Sequence, residues 1–85
     1  MTVNSSEGSR GYNPATVKTN RAANGHRIGV KLGRFCIKNG IPVEVAAHSL
    51  GVTKWTIYRW FSGASEPHRT HGRLIKKFID EFIAE

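Results

Sequence analysis

Acidic residues are scarce in this chain: six Asp and Glu stand against 13 Lys and Arg in 85 residues, a formal charge of +7. No paired carboxylates for an enclosed site, no phosphate-cradling glycine loop and no nucleophile with a plausible base can be found. An enzyme is therefore not expected. The single cysteine, Cys36, excludes an intramolecular disulfide and is consistent with a reducing interior. It falls on the apolar stripe of a predicted helix, where a small buried hydrophobe is its expected role. No hydrophobic run approaches the ~18–20 residues of a membrane span. The Ser/Asn/Gly-rich start lacks the apolar segment of a secretory signal, so a cytoplasmic protein with no membrane partner is expected. His48, His68 and His71 have no cysteine or carboxylate pair to complete a ligand set, although His68 and His71 suit one helical face. Neither a metal nor a cofactor is expected. Strand-period alternation and internal repeats are missing too, which leaves an all-α fold.

What is present suits one small domain, with 39% apolar residues for a single core. A positive surplus of this size points to a polyanionic partner, nucleic acid before membrane. The surplus is also sorted along the chain. Residues 1–27 carry a net +3 and residues 28–61 a net +4, whereas the four cations after residue 61 are cancelled by Glu66, Asp80, Glu81 and Glu85.

Residues 1–25 hold three glycines, Pro14, four Asn and few large apolar side chains, so they are expected to form a disordered basic arm. Such an arm is either an inert tail or a strap along a groove or phosphate track. Residues 26–85 are expected to be the folded domain. Its first helix should run from Arg27 to Asn39, with Ile28, Leu32, Phe35 and Cys36 on one face and Lys31, Arg34 and Lys38 on the rest. Asn39-Gly40 is a stop signal, and Pro42 suits the first position of the next helix, with Glu44 in its first turn. That helix, Pro42 to Leu50, should turn Val45, Ala46 and Leu50 inward, with Ala47 at a close crossing. Gly51-Val52 makes a turn, and Thr53 caps a further helix that buries Ile57, Trp60 and Phe61 and stops at Ser62-Gly63. After a loop through Pro67, a last helix from about Thr70 to Ala84 carries a wide apolar stripe of Leu74, Ile75, Phe78, Ile79, Phe82 and Ile83.

The segment 43–60 contains the strongest pattern. Two helices that meet steeply across a ~3–4-residue link need a small residue where the backbones approach, a glycine where the turn goes left-handed, and apolar anchors on both sides. Ala47, Gly51, Val52 and Ile57 meet those demands at the proper spacing, with Leu50 and Trp60 as further anchors. The pattern Ala47-x-x-x-Gly51-Val52-x-x-x-x-Ile57, followed by Tyr58-Arg59-Trp60, resembles the helix-turn-helix of the lambda-repressor/Cro-like family of phage and bacterial regulators. Trp60-Phe61-Ser62-Gly63, a proline-containing loop and another helix extend the likeness over residues 27–83, its specific part being 43–63. Family members often carry Gln where Val43 stands, so the phosphate contact made through that Gln is not carried over.

The resemblance implies a four- to five-helix DNA-binding domain in the cytoplasm of a bacterium or a phage-infected cell. It places the helix 53–61 in the major groove of double-stranded DNA, with Lys54, Trp55, Tyr58 and Arg59 at base edges. Arg59 or Lys54 would donate to guanine, and Trp55 would meet a thymine methyl or the backbone. Thr53, Thr56, Arg27, Lys31 and Lys38 are the expected phosphate contacts. One helix reads too few base pairs for high specificity, so a homodimer on a palindromic operator is expected, with Phe78, Ile79, Phe82 and Ile83 as the candidate dimer surface. The function so implied is repressor-like transcription regulation. The alternatives are a DNA-binding accessory in recombination, replication or packaging, a protein-interaction module anchored by Trp55 and Tyr58 on an unidentified partner, and a plain helical hairpin in which Gly51 is only a cap.

Overall fold

The computed structural model describes residues 12–84, and among them it contains five helices and no strand. They are α1 (Pro14–Ala22), α2 (Ile28–Asn39), α3 (Val43–Leu50), α4 (Lys54–Ser62) and α5 (Arg69–Ala84). The all-α expectation is met, and the ends of α2–α5 fall within about a residue of the local signals. α2, α3 and α4 each stop at a glycine with positive φ: Gly40, Gly51 and Gly63.

The first correction concerns residues 12–25, expected within a disordered arm. The rest of that arm, residues 1–11, lies outside the described residues. α1 begins where the Asn13 side chain accepts the Ala15 N–H at 2.7 Å and Pro14 supplies a preset φ at the helix start. It is held to the body by polar contacts rather than by an apolar stripe. The Asn20 side chain, buried, donates to the carbonyls of Phe61 (2.7 Å) and Val30 (3.2 Å). The Tyr12 hydroxyl donates to the Ile41 carbonyl, and its ring lies 6.0 Å from that of Phe61. From α2, the Arg34 guanidinium donates to the carbonyls of Ala23 (3.0 Å) and Arg21 (3.2 Å), a cation set at the negative end of α1. Composition could not reveal this, because each bond joins residues at least 10 positions apart.

α2 forms its largest contact with α4. The approach is close enough to require glycine. A Cβ on Gly29 would lie 2.8 Å from Trp60 Cβ and 3.0 Å from the Trp60 carbonyl oxygen, and one on Gly33 would lie 2.9 Å from Phe61 Cγ. With α1 and α4 on one side and α5 on another, α2 buries Val30 and Ile37 beyond its expected stripe, while Ile28 and Phe35 are only half-buried. The core gathers Leu32, Cys36, Val43, Leu50, Ile57, Trp60, Phe61 and Ile75.

Three further corrections apply to α3 and α5. Pro42 is the N-cap of α3 and Val43 its first helical residue. Val43 is therefore core, and Val45, expected inward, is 47% exposed on the opposite side. Along α5 only Ile75 is fully buried; Phe78 and Ile79 lean on the core, whereas Leu74, Phe82 and Ile83 are exposed. Two of the four residues expected at a dimer surface are thus already partly committed within the chain.

Candidate functional site

The link between α3 and α4 is set by a short-range hydrogen-bond pattern. Gly51, at φ 70°, directs its N–H to the His48 carbonyl (3.3 Å), and Val52 N–H reaches back to Ala47 (3.0 Å). This six-to-one, five-to-two pair satisfies the last carbonyls of α3 and reverses the chain direction within a turn. Nothing lies within 4 Å of a Cβ placed on Gly51, so the backbone angle, not crowding, is what asks for glycine. Thr53 then opens α4, its hydroxyl accepting the Thr56 N–H at 3.2 Å and lying 3.2 Å from the Thr56 hydroxyl.

α4 has two chemically distinct sides. Ile57, Trp60 and Phe61, spaced i, i+3, i+4, are buried. Lys54, Trp55, Tyr58 and Arg59 are exposed together, Trp55 at 69% and Tyr58 at 36%, with Trp55 and Arg59 opposite the buried stripe and Lys54 and Tyr58 on its flank. The Trp55 and Tyr58 rings are 6.3 Å apart and tilted by 53°, and the Lys54 ammonium sits 5.9 Å from the Trp55 ring centre. That distance suits a cation–π contact, which holds the indole beside a positive charge. Among the described residues, no carboxylate lies within 4.0 Å of Lys54 or Arg59.

The exposed side of α4 does not stand alone. It forms one wall of a cleft of about 620 Å³ whose other wall is α1, with Ala15, Thr16 and Thr19 facing Trp55, Tyr58 and Arg59. Thr16 and Thr19 were not singled out in the sequence because α1 was not expected. Asn13-Pro14, a cap residue followed by a proline, is the local signal that could have found them.

The expected phosphate contacts divide. Thr53 and Thr56 lie at the start of α4, next to Lys54 and Trp55. Arg27 is drawn to Glu66 at 2.8 Å, a half-exposed ion pair that occupies its guanidinium while contributing little stability. Lys31 and Lys38 are exposed on α2, on the side turned away from Gly29 and Gly33 where α4 packs. They do not share the exposed face of α4.

Of the remaining candidates, Cys36 is buried, and burial pushes its thiol from 9.0 up to about 12. Burial, helped by the negative charges that Cys36, Tyr58 and Glu44 can carry, likewise raises the Tyr12 hydroxyl. His71 packs against Trp60 with ring centres 5.4 Å apart, and among the described residues no three His, Cys, Asp or Glu side chains cluster as metal ligands. No described helix is long and apolar enough to cross a membrane.

Comparison of the chain with protein-family models, with characterised proteins and with solved structures finds no match.

Proposed function

We propose that this protein binds double-stranded DNA sequence-specifically, with α3, the Gly51 turn and α4 acting as a helix-turn-helix and α4 lying in the major groove. The observation that carries this reading is the exposed part of α4: Lys54, Trp55, Tyr58 and Arg59 are exposed together on a helix that Ile57, Trp60 and Phe61 anchor. Aromatic and cationic side chains on one rigid helix suit base edges and thymine methyls, and a well-placed cation–guanine pair discriminates by ~1–3 kcal/mol. Thr53 and Thr56, at the helix start, suit a phosphate. The formal charge of +7 supports a polyanionic partner.

Occupying an operator would make the protein a repressor-like regulator. The exposed Leu74, Phe82 and Ile83 on α5 favour a second copy as its partner, which would set half-sites about one turn, ~34 Å, apart. A second reading, docking of a protein partner on the aromatic wall, is favoured by the cleft between α1 and α4.

Selection of bound fragments from random duplex DNA tests the proposal. A palindromic consensus is the expected result, and Arg59→Ala should relax one position within it. No enrichment over unselected DNA would overturn sequence-specific binding and favour the protein partner.

A further inference from the structure

Arg27, Lys31, Arg34 and Lys38 recur at i, i+4, i+7 and i+11. At 3.6 residues per turn they fall within an arc of ~60° along α2, spanning ~16 Å. The contact with α4 leaves α2 through Gly29 and Gly33, about 150° around the helix from that arc. The basic stripe and the exposed side of α4 therefore look in different directions.

The four cations are not equivalent. Arg27 is paired with Glu66, and Arg34 is spent on the carbonyls of Arg21 and Ala23. Lys31 and Lys38 are exposed, and among the described residues neither has a carboxylate within 4.0 Å. Arg21, on α1, joins them: with Val17, Arg34, Ile37 and Lys38 it lines a second cleft, of about 540 Å³, between α1 and α2. It too has no carboxylate within 4.0 Å among the described residues. Phe35, between Lys31 and Lys38, is half-buried and packed edge-on against the exposed Phe82, so the three cations offer charge without the pair of exposed rings, Trp55 and Tyr58, that α4 presents. A DNA strand presents one negative charge per ~3.4 Å of axis, and a stripe of this length can face several in succession.

From this arrangement we infer that Arg21, Lys31 and Lys38 form a second, sequence-independent binding surface for the phosphate backbone of a separate DNA segment. The protein would then hold two duplexes, one read by α4 and one gripped across α1 and α2. This inference rests on the proposed role of α4 for the first duplex. It goes beyond that role, because a bridging protein brings distant DNA segments together as well as marking one.

A two-duplex capture assay with the full chain tests it. A duplex carrying the selected site is immobilised, the protein is added, and a fluorescent duplex of unrelated sequence is offered at low salt. The wild type should retain both. The triple variant Arg21→Gln, Lys31→Gln, Lys38→Gln removes charge from exposed positions without touching Arg27 or Arg34. It should bind the first duplex within about twofold of the wild type and with an unchanged salt slope, yet lose the second duplex. Retention of the first duplex alone by the wild type would overturn the inference and leave the reading of α4 intact. Capture of the second duplex by the triple variant would overturn it as well, since two α4 helices in a dimer would then account for bridging. A tenfold loss of first-duplex affinity in the variant would show that these cations serve the same duplex as α4, again overturning it. Failure of the wild type to retain even the first duplex would defeat both proposals.

Discussion

α4 and α5 both expose large apolar side chains, but for different reasons. α4 buries Ile57, Trp60 and Phe61 and presents Trp55 and Tyr58 outside that stripe. Those rings are not an overflow of its core stripe; they belong to a separate surface that the core does not explain. α5 is longer and more regularly amphipathic, yet its exposed Phe82 and Ile83 continue the same stripe that contains Ile75. The helix outruns the body it packs on, although Phe82 still meets Phe35 edge-on at 5.4 Å. An exposed aromatic on a second face points to a contact made by that face. An exposed residue at the end of a core stripe points first to a shortage of neighbours, and then to a second copy able to supply them.

The largest expected effect tests the α5 half of this contrast. Ile75→Ala should lower unfolding free energy by about 2–5 kcal/mol, whereas Ile83→Ala should stay within about 0.5 kcal/mol in chemical denaturation. If Ile83→Ala proves as costly, and only at high protein concentration, a second copy covers the end of α5 and the contrast must be redrawn. Next is Gly29→Ala, at the anchored side of α4. Alanine gains about 1 kcal/mol of helix propensity over glycine, but overpacking costs ~1–3 kcal/mol and the Trp60 backbone cannot rotate aside. A net loss of up to about 2 kcal/mol in unfolding free energy is expected.

Trp55→Ala should move stability by no more than about 0.5 kcal/mol while weakening duplex binding about tenfold, equivalent to ~1.4 kcal/mol. A loss of stability comparable to that of a core residue would show that the indole serves the fold, and would merge the two sides of α4. The last effect is that of pH, and it appears only above pH 9. Because burial raises the Cys36 thiol from 9.0 to about 12, the unfolded chain releases that proton first as pH rises. Its stabilising contribution is fully present below pH 9 and is lost as pH climbs through about 12, with the Tyr12 hydroxyl acting in the same direction. Unfolding midpoints measured across that range in wild type and Cys36→Ala should converge with rising pH.

Much of the fold was legible because its punctuation is local. Gly40, Gly51 and Gly63 end helices through bonds made within six residues, and Thr53 opens α4 through a bond three residues away. The side on which Lys54, Trp55, Tyr58 and Arg59 emerge followed from the spacing of Ile57, Trp60 and Phe61. α1 was missed although Asn13-Pro14 announces a helix start, since its docking depends on one buried amide and one phenol rather than on a stripe. Val45 reads as inward-facing although Val43 is the buried one, because four of the first five residues of α3 are apolar, and one apolar valine looks like another until a neighbour covers it. Lys31 and Lys38 were grouped with α4 on charge alone. Which way α2 rotates in the assembled domain is settled by Gly29 and Gly33, and charge carries no information on that.

The chain alone determined where α2–α5 begin and end and which face of α4 is anchored, because caps, left-handed glycines and the 3.6-residue period act over a few neighbouring positions. Tertiary packing alone decided that α1 lies beside α4, that the cations of α2 look away from it, and that α5 extends past the core. Those outcomes depend on contacts between residues far apart in sequence, where a single close approach, such as that of Gly29 to Trp60, orients a whole helix.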